Sequence, residues 1–174
     1  PDALTLCKMN FLSSLKEFKN NLFKKENIYY FLFAIIIFFL DRSSKFQIIH
    51  KFNEESHYIN SYINFDLIWN IGIGFGFLSS NSSIVYNLIT TIIAIVISIL
   101  FYIFLNSKNL DKFIFSIIIG GALGNFYDRI IYKAVPDFID LHYNNFHWFT
   151  FNVADIFITL GILIYIIRSF FVKI

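Results

Sequence analysis

Four aspartates and the polar residues beside them are the groups in this 174-residue chain best suited to chemistry. Asp41 is followed one helical turn later by Lys45, so the two can pair along one face. Asn125 precedes Asp128-Arg129, and Asn152 precedes Asp155 by three residues, which puts both on one helical face. Asp137 lies between Pro136 and Phe138. Two carboxyls held close together cannot both ionise cheaply; one pKa rises and the pair shares a proton. One member can then take a proton from water while the other donates one to a carbonyl. That is hydrolysis by general acid–base catalysis, without a covalent intermediate.

The elements that position these groups follow from composition. The chain is 57% hydrophobic and 15% charged, with 24 Phe, 10 Tyr and a mean hydropathy of +0.63. A soluble domain of this size would leave much of that apolar surface in water, whereas a bilayer solvates it. About 20 helical residues cross a hydrocarbon core roughly 30 Å thick. Four runs qualify: 28–49, 84–105, 113–131 and 151–171. Each is expected to be a helix, because lipid cannot satisfy free backbone groups. The first competes with a cleaved signal peptide, but no small-residue cleavage site follows it, and its Asp41-Arg42-Ser43-Ser44-Lys45 end reads as a functional patch. The expectation is an all-α, four-span bundle at 28–174, preceded by a cytoplasmic segment at 1–27.

Lys8, Lys16, Lys19, Lys24 and Lys25 precede the first span, Lys108 and Lys112 join the second to the third, and Arg168 and Lys173 lie at the end. The two longer loops are poorer in Lys and Arg. Both termini are therefore expected in the cytoplasm. Asp41 then lies about 20 Å above the inner edge of the first span. Asp128 closes the third span on the outer side, Asp155 opens the fourth, and Asp137 falls in the loop between them. Intramembrane charges are costly and mark function, pairing or a water-filled cavity; four on separate elements at one depth indicate a one-sided site. Gly120, Gly121 and Gly124 allow close helix approach. Net charge is only +2, which gives no case for nucleic acid. The single cysteine, Cys7, excludes an internal disulfide, and no apolar stretch before it supports a lipid-attachment site.

At these residues the sequence resembles the lipoprotein signal peptidases, or signal peptidase II. The matching stretches are Asp41-Arg42-Ser43-Ser44-Lys45, Asn70-Ile71-Gly72-Ile73-Gly74-Phe75, Gly121-Ala122-Leu123-Gly124-Asn125-Phe126-Tyr127-Asp128-Arg129, Val135-Pro136-Asp137-Phe138 and Phe151-Asn152-Val153-Ala154-Asp155. They follow the family's order from about Ile28 to Ile167. The resemblance implies an aspartyl endopeptidase of the bacterial cytoplasmic (inner) membrane, with Asp137 and Asp155 as the catalytic pair. Asn125, Asp128, Arg129 and Asn152 would hold the site; Asp41, Lys45, Asn70, Gly72, Gly121 and Ala154 would support it or the substrate. The substrate would be a diacylglyceryl-modified prolipoprotein, cut before its lipidated cysteine. A small β-rich extracytoplasmic cradle around Asn70, a monomeric chain and no metal or organic cofactor are also implied. Arg42 stands where the family usually has Gln, Gly74 where it often has Ala, and Pro136 in a usually β-branched position.

Other readings compete. A proton-coupled transporter would use the same acids, but needs polar residues through the cytoplasmic half, where the second span offers only Asn87, Thr90, Thr91 and Ser98. A non-catalytic scaffold would use Asp155 for binding alone. Asp128-Arg129 reads equally as a simple ion pair at a helix end. Asp140 is expected to be a solvated loop residue. His142 and His147, with Asp137 and Asp140, suggest a metal site only weakly, since their five-residue spacing does not stack on a helix. Trp69, Trp148 and the loop tyrosines read as a membrane-interface belt.

Overall fold

A computed structural model describes residues 19–51, 56–72, 83–144 and 146–171, together with Ser13 and Lys16. Helix α1 spans Lys25–Lys51, α2 Ser83–Asn106, α3 Asn109–Tyr132 and α4 Val153–Phe171. Between α1 and α2 lie β1 (His57–Asn60) and β2 (Ile63–Asn70); between α3 and α4 lie β3 (Val135–Tyr143) and β4 (Phe146–Phe151). Gly74, expected in the glycine-rich segment, lies outside the described residues, as does the chain before Ser13.

Helices α2, α3 and α4 are each long and apolar enough to cross a membrane. Helix α1, at 27 residues, is longer still, but Asp41, Arg42 and Lys45 interrupt its apolar run. Helix α3 is central and packs against α1, α2 and α4. Its core cluster joins Phe104 and Leu105 of α2 to Ile114, Phe115, Ile118 and Ile119. Helices α2 and α4 turn Ile84, Leu88, Ile92, Ile95, Ile99, Phe170 and Phe171 outward, a surface suited to lipid.

Close packing depends on glycine. A Cβ at Gly120 would lie 2.7 Å from the carbonyl oxygen of Ala34 in α1, and one at Gly121 2.6 Å from that of Ala154 in α4. Backbones this close leave no room for a side chain, as small-residue helix interfaces in lipid require.

The four strands form one antiparallel sheet in the order β1-β2-β3-β4. Its central pair, β2 and β3, comes from two separate loops. Ile68 faces Asp137, Trp69 faces Pro136 and Asn70 faces Val135.

Several boundaries differ from those expected. Helix α3 begins at Asn109, so the connection from α2 is two residues, Ser107 and Lys108, and Lys112 is buried in the helix beside Glu26 of α1. At its other end α3 runs to Tyr132 and stops at Lys133, whose φ of 59° is left-handed. Phe151 ends a strand rather than opening a helix; α4 begins two residues later, because Asn152 caps it. Asp140 is not solvated but 3% exposed: it lies on an inner strand, and its carboxylate faces the rings of His147 and His142 rather than water.

Candidate active site

Asp137 lies on β3 and is 3% exposed. Asn70, at the end of β2, accepts the N–H of Gly72 on its Oδ1 at 2.8 Å, a local turn that fixes the amide. Its Nδ2 is thereby aimed at Asp137, donating to Oδ2 at 2.9 Å. From the opposite side Asn152 Nδ2 donates to Asp137 Oδ1 at 2.6 Å. Burial, reinforced by the nearby charge of Asp155, outweighs these two donors and pushes the Asp137 pKa up from 3.8 to about 6. Pro136 is fully buried beside it on the strand.

Asp155 is brought to the same place by the start of α4. Asn152 is the N-cap: its Oδ1 accepts the Asp155 N–H at 3.1 Å, while Asp155 Oδ2 accepts the Asn152 N–H at 3.2 Å. This reciprocal pair is a capping box in which Asn and Asp replace the commoner Ser/Thr and Glu/Gln. The other oxygen, Oδ1, accepts from Asn125 Nδ2 of α3 at 2.7 Å. Asp155 is only partly buried, and forms one wall of an open, largely apolar cavity of about 270 Å³ with Phe149, Phe151, Ile156, Thr159 and Leu160.

Beneath the two carboxylates lies a second polar cluster centred on Lys45, which is 0% exposed. Its three N–H groups are all used, donating to Asp41 Oδ2 at 2.8 Å, Asn125 Oδ1 at 2.8 Å and Asp128 Oδ2 at 2.7 Å. Because Lys can only donate, Asn125 must turn its oxygen to Lys45 and its nitrogen to Asp155. Asp41 Oδ1 in turn accepts the Ala154 N–H at 2.9 Å, an anion set against the N-terminal turn of α4. A Cβ on Gly124 would collide with this Asp41 carboxylate. Asp128 also pairs with Arg42, whose guanidinium lies 4.7 Å from the Tyr127 ring centre.

Arg129 binds the carbonyl oxygen of Gly72 through Nη2, and its own carbonyl accepts the Tyr86 hydroxyl at 2.8 Å. It thus ties the start of α2 and the turn after β2 to the end of α3. Asp128 and Arg129 do not serve as partners for one another, contrary to the simple ion-pair reading: Asp128 turns to α1 and Arg129 to Gly72.

All the residues singled out from sequence as catalytic or supporting meet here. Asp137, Asp155, Asn70, Asn125 and Asn152 form the upper layer, and Asp41, Lys45 and Asp128 the lower. Gly72, Gly121, Ala154 and Arg129 supply backbone contacts or the packing just described. Three features had not been anticipated: the capping box, legible in the spacing Asn152-x-x-Asp155; Gly124 as a seat for Asp41; and the burial of Asp140, which has no local signature.

A bundle of long apolar helices with a small sheet at one end, where Asp137 of the sheet and Asp155 of α4 are both held by Asn152, defines an integral membrane protein with an acidic site at the junction of sheet and bundle. A family model for signal peptidase (SPase) II matches residues 33–171. The chain belongs to the signal peptidase II family. The chain is similar to the lipoprotein signal peptidase of Pelagibacter ubique, with 46% identity over 140 residues, 79% of this chain and 84% of that one. That of Francisella tularensis subsp. novicida is 39% identical over 150 residues, covering 83% and 92%. Two solved structures share the fold: a bacterial membrane enzyme at 2.3 Å resolution, with a TM-score of 0.69, 27% identity and coverage of 85% and 89%, and another at 1.9 Å, with a TM-score of 0.66, 29% identity and coverage of 84% and 93%.

Proposed function

We propose that this protein is an aspartyl endopeptidase that removes signal peptides from diacylglyceryl-modified prolipoproteins, cutting before the lipidated cysteine. The observation that carries the reading is the meeting of Asp137 and Asp155, each carboxylate held by amide donors and one of them opening on an apolar cavity. With one proton shared between them, the ionised member takes a proton from water, and the protonated member donates to the scissile carbonyl oxygen. The resulting tetrahedral diol collapses as the aspartate that took the water proton gives it to the leaving amine and the other aspartate takes a proton from the diol, which restores the shared-proton pair. Asn70, Asn125 and Asn152 keep both carboxylates oriented through the cycle. No metal or organic cofactor takes part in this scheme.

The apolar cavity beside Asp155 suits a substrate whose acyl chains stay in the bilayer, entering sideways. The distribution of Lys and Arg supports four spans, α1 included, with both termini cytoplasmic and the site near the outer face of the bacterial inner membrane. We read the chain as a monomer, since one copy already supplies both carboxylates and the four amide groups that donate to them. Family membership leaves the transporter reading without support.

The test is cleavage of a diacylated prolipoprotein peptide in detergent or liposomes, comparing wild type with Asp137→Asn and Asp155→Asn. Cutting before the lipidated cysteine by wild type and by neither folded variant is expected. A well-folded wild type that leaves several such substrates intact would refute the reading.

A further inference from the structure

The β3–β4 hairpin brings together three side chains that the peptidase mechanism does not use. Asp140 and His142 are two residues apart on β3 and so share one face of the sheet. His147 of β4 is the strand partner of His142. The register shifts by one residue between Leu141 and His142, so that the histidines face each other on the turn side while Asp140 faces Thr150 beyond it. Such bulges re-aim side chains. Five-residue spacing, unsuited to a helix, is what a tight hairpin needs to oppose two residues.

The donor atoms converge. One ligand atom from each of Asp140, His142 and His147 lies within 4.8 Å of the others. Asp140 Oδ2 is 2.6 Å from His147 Nδ1 and 3.7 Å from His142 Nδ1. Around a tetrahedral ion with bonds of about 2.0–2.1 Å, ligand atoms lie roughly 3.3 Å apart. The 3.7 Å separation is already close to this, and the shorter one opens by a small rotation of His147, whose side chain is 56% exposed.

A second observation points to a ligand. The His142 side chain is 7% exposed, and its Nδ1 is buried without a hydrogen-bond partner among the described residues. Buried polar atoms are rarely left so. The Asp140 carboxylate that faces it is too far to serve as a hydrogen-bond acceptor and is already engaged by His147. A cation between the three satisfies all of them at once.

We propose that Asp140, His142 and His147 form a binding site for a divalent transition metal of the zinc type. Two imidazoles favour such an ion over Mg²⁺ or Ca²⁺, which prefer all-oxygen shells. Three protein ligands leave a fourth position on the exposed side of His147 for water. Binding displaces the proton between His147 and Asp140, and cross-links the two strands near their turn. The inference is independent of the peptidase reading, since none of the three residues touches Asp137 or Asp155 in the hydrogen bonds described above.

Untagged full-length protein in detergent micelles, stripped with chelator, is titrated with Co²⁺ and then with Zn²⁺. The expected result is saturable one-to-one binding, a visible Co²⁺ absorption band that Zn²⁺ abolishes, and a Zn²⁺-dependent rise in the unfolding midpoint. His147→Ala removes an exposed ring and leaves the strand intact; it and His142→Ala are expected to weaken binding at least about tenfold and to abolish the midpoint shift. His50→Ala, on α1, leaves both unchanged. Absence of saturable binding to wild type, or unaltered binding to folded His147→Ala, overturns the proposal.

Discussion

Asn152 and Asp155 cap one another: the amide oxygen of the first accepts the backbone N–H of the second, and the carboxylate of the second accepts the backbone N–H of the first. The same Asn152 side chain has its nitrogen free for Asp137. One residue therefore starts α4, orients one carboxylate through the backbone and holds the other through its amide.

These duties can be separated. Ser is a good N-cap but too short to reach Asp137. Asn152→Ser is expected to keep stability within about 0.5 kcal/mol of wild type while kcat falls about 100-fold. Asn152→Ala should lose about 1 kcal/mol as well. Denaturation in detergent and peptide cleavage together check this; full activity in Asn152→Ser would show that the contact with Asp137 is dispensable.

The pKa of about 6 at Asp137 sets a pH dependence. Its folded value is raised above the 3.8 of the free acid, so folding takes up a proton between these values. The contribution to stability is complete below pH 3.8 and is lost as pH rises through about 6, by at most about 3 kcal/mol. For catalysis, a pair that needs one shared proton should lose kcat/KM as pH rises past the same value in the free enzyme. A pH–rate profile of kcat/KM with no alkaline decline between pH 5 and about 8 would contradict this assignment.

Lys45 neutralises two buried aspartates and aims Asn125. Lys45→Met leaves Asp41 uncompensated and Asp128 with Arg42 alone, and is expected to cost about 3–5 kcal/mol. The triple variant with Asp41→Asn and Asp128→Asn should recover much of that, because the unpaired charges are gone. Equal stability of the single and triple variants in denaturant unfolding would argue against an electrostatic role.

Arg42 touches the same Asp128, but its side chain is 15% exposed and lies at the rim against Tyr127 and Tyr132. Arg42→Gln is expected to cost about 1 kcal/mol and to leave cleavage within a few-fold of wild type. A loss matching that of Lys45→Met would place Arg42 in the core of the network instead.

Gly124→Ala drives a methyl into the Asp41 carboxylate and so loosens its hold on the Ala154 N–H. A loss of about 1–3 kcal/mol is expected. It should be accompanied by lower kcat, since α4 carries Asp155. Unchanged melting and turnover would mean that Asp41 moves without consequence.

The helices were legible because lipid imposes a strong rule: a run of apolar residues near Ile84 or Phe113 has few alternatives to helix. Asp155 stood out for the related reason that an acid in such a run needs an explanation. Asp140 reads as a loop residue because nothing local shows that it lies on an inner strand between β2 and β4, with His142 and His147 against its carboxylate. The three partners of Lys45 were only partly foreseeable: Asp41 follows from i, i+4 spacing, whereas Asn125 and Asp128 depend on how α1 meets α3. Helix ends moved by a few residues wherever a cap or strand, rather than hydrophobicity, set the boundary, as at Asn152.

The central strands β2 and β3 come from loops on either side of the α2–α3 pair, and Asp155 follows on the last helix. During synthesis on a ribosome the N-terminal half therefore emerges with Asn70 and Lys45 but without either proposed catalytic acid. The acid pair comes together only once α4 has been delivered to the bilayer and its cap closed on Asp137. A chain that has not yet made α4 thus lacks one of the two proposed catalytic acids, together with the Asn152 amide that orients the other.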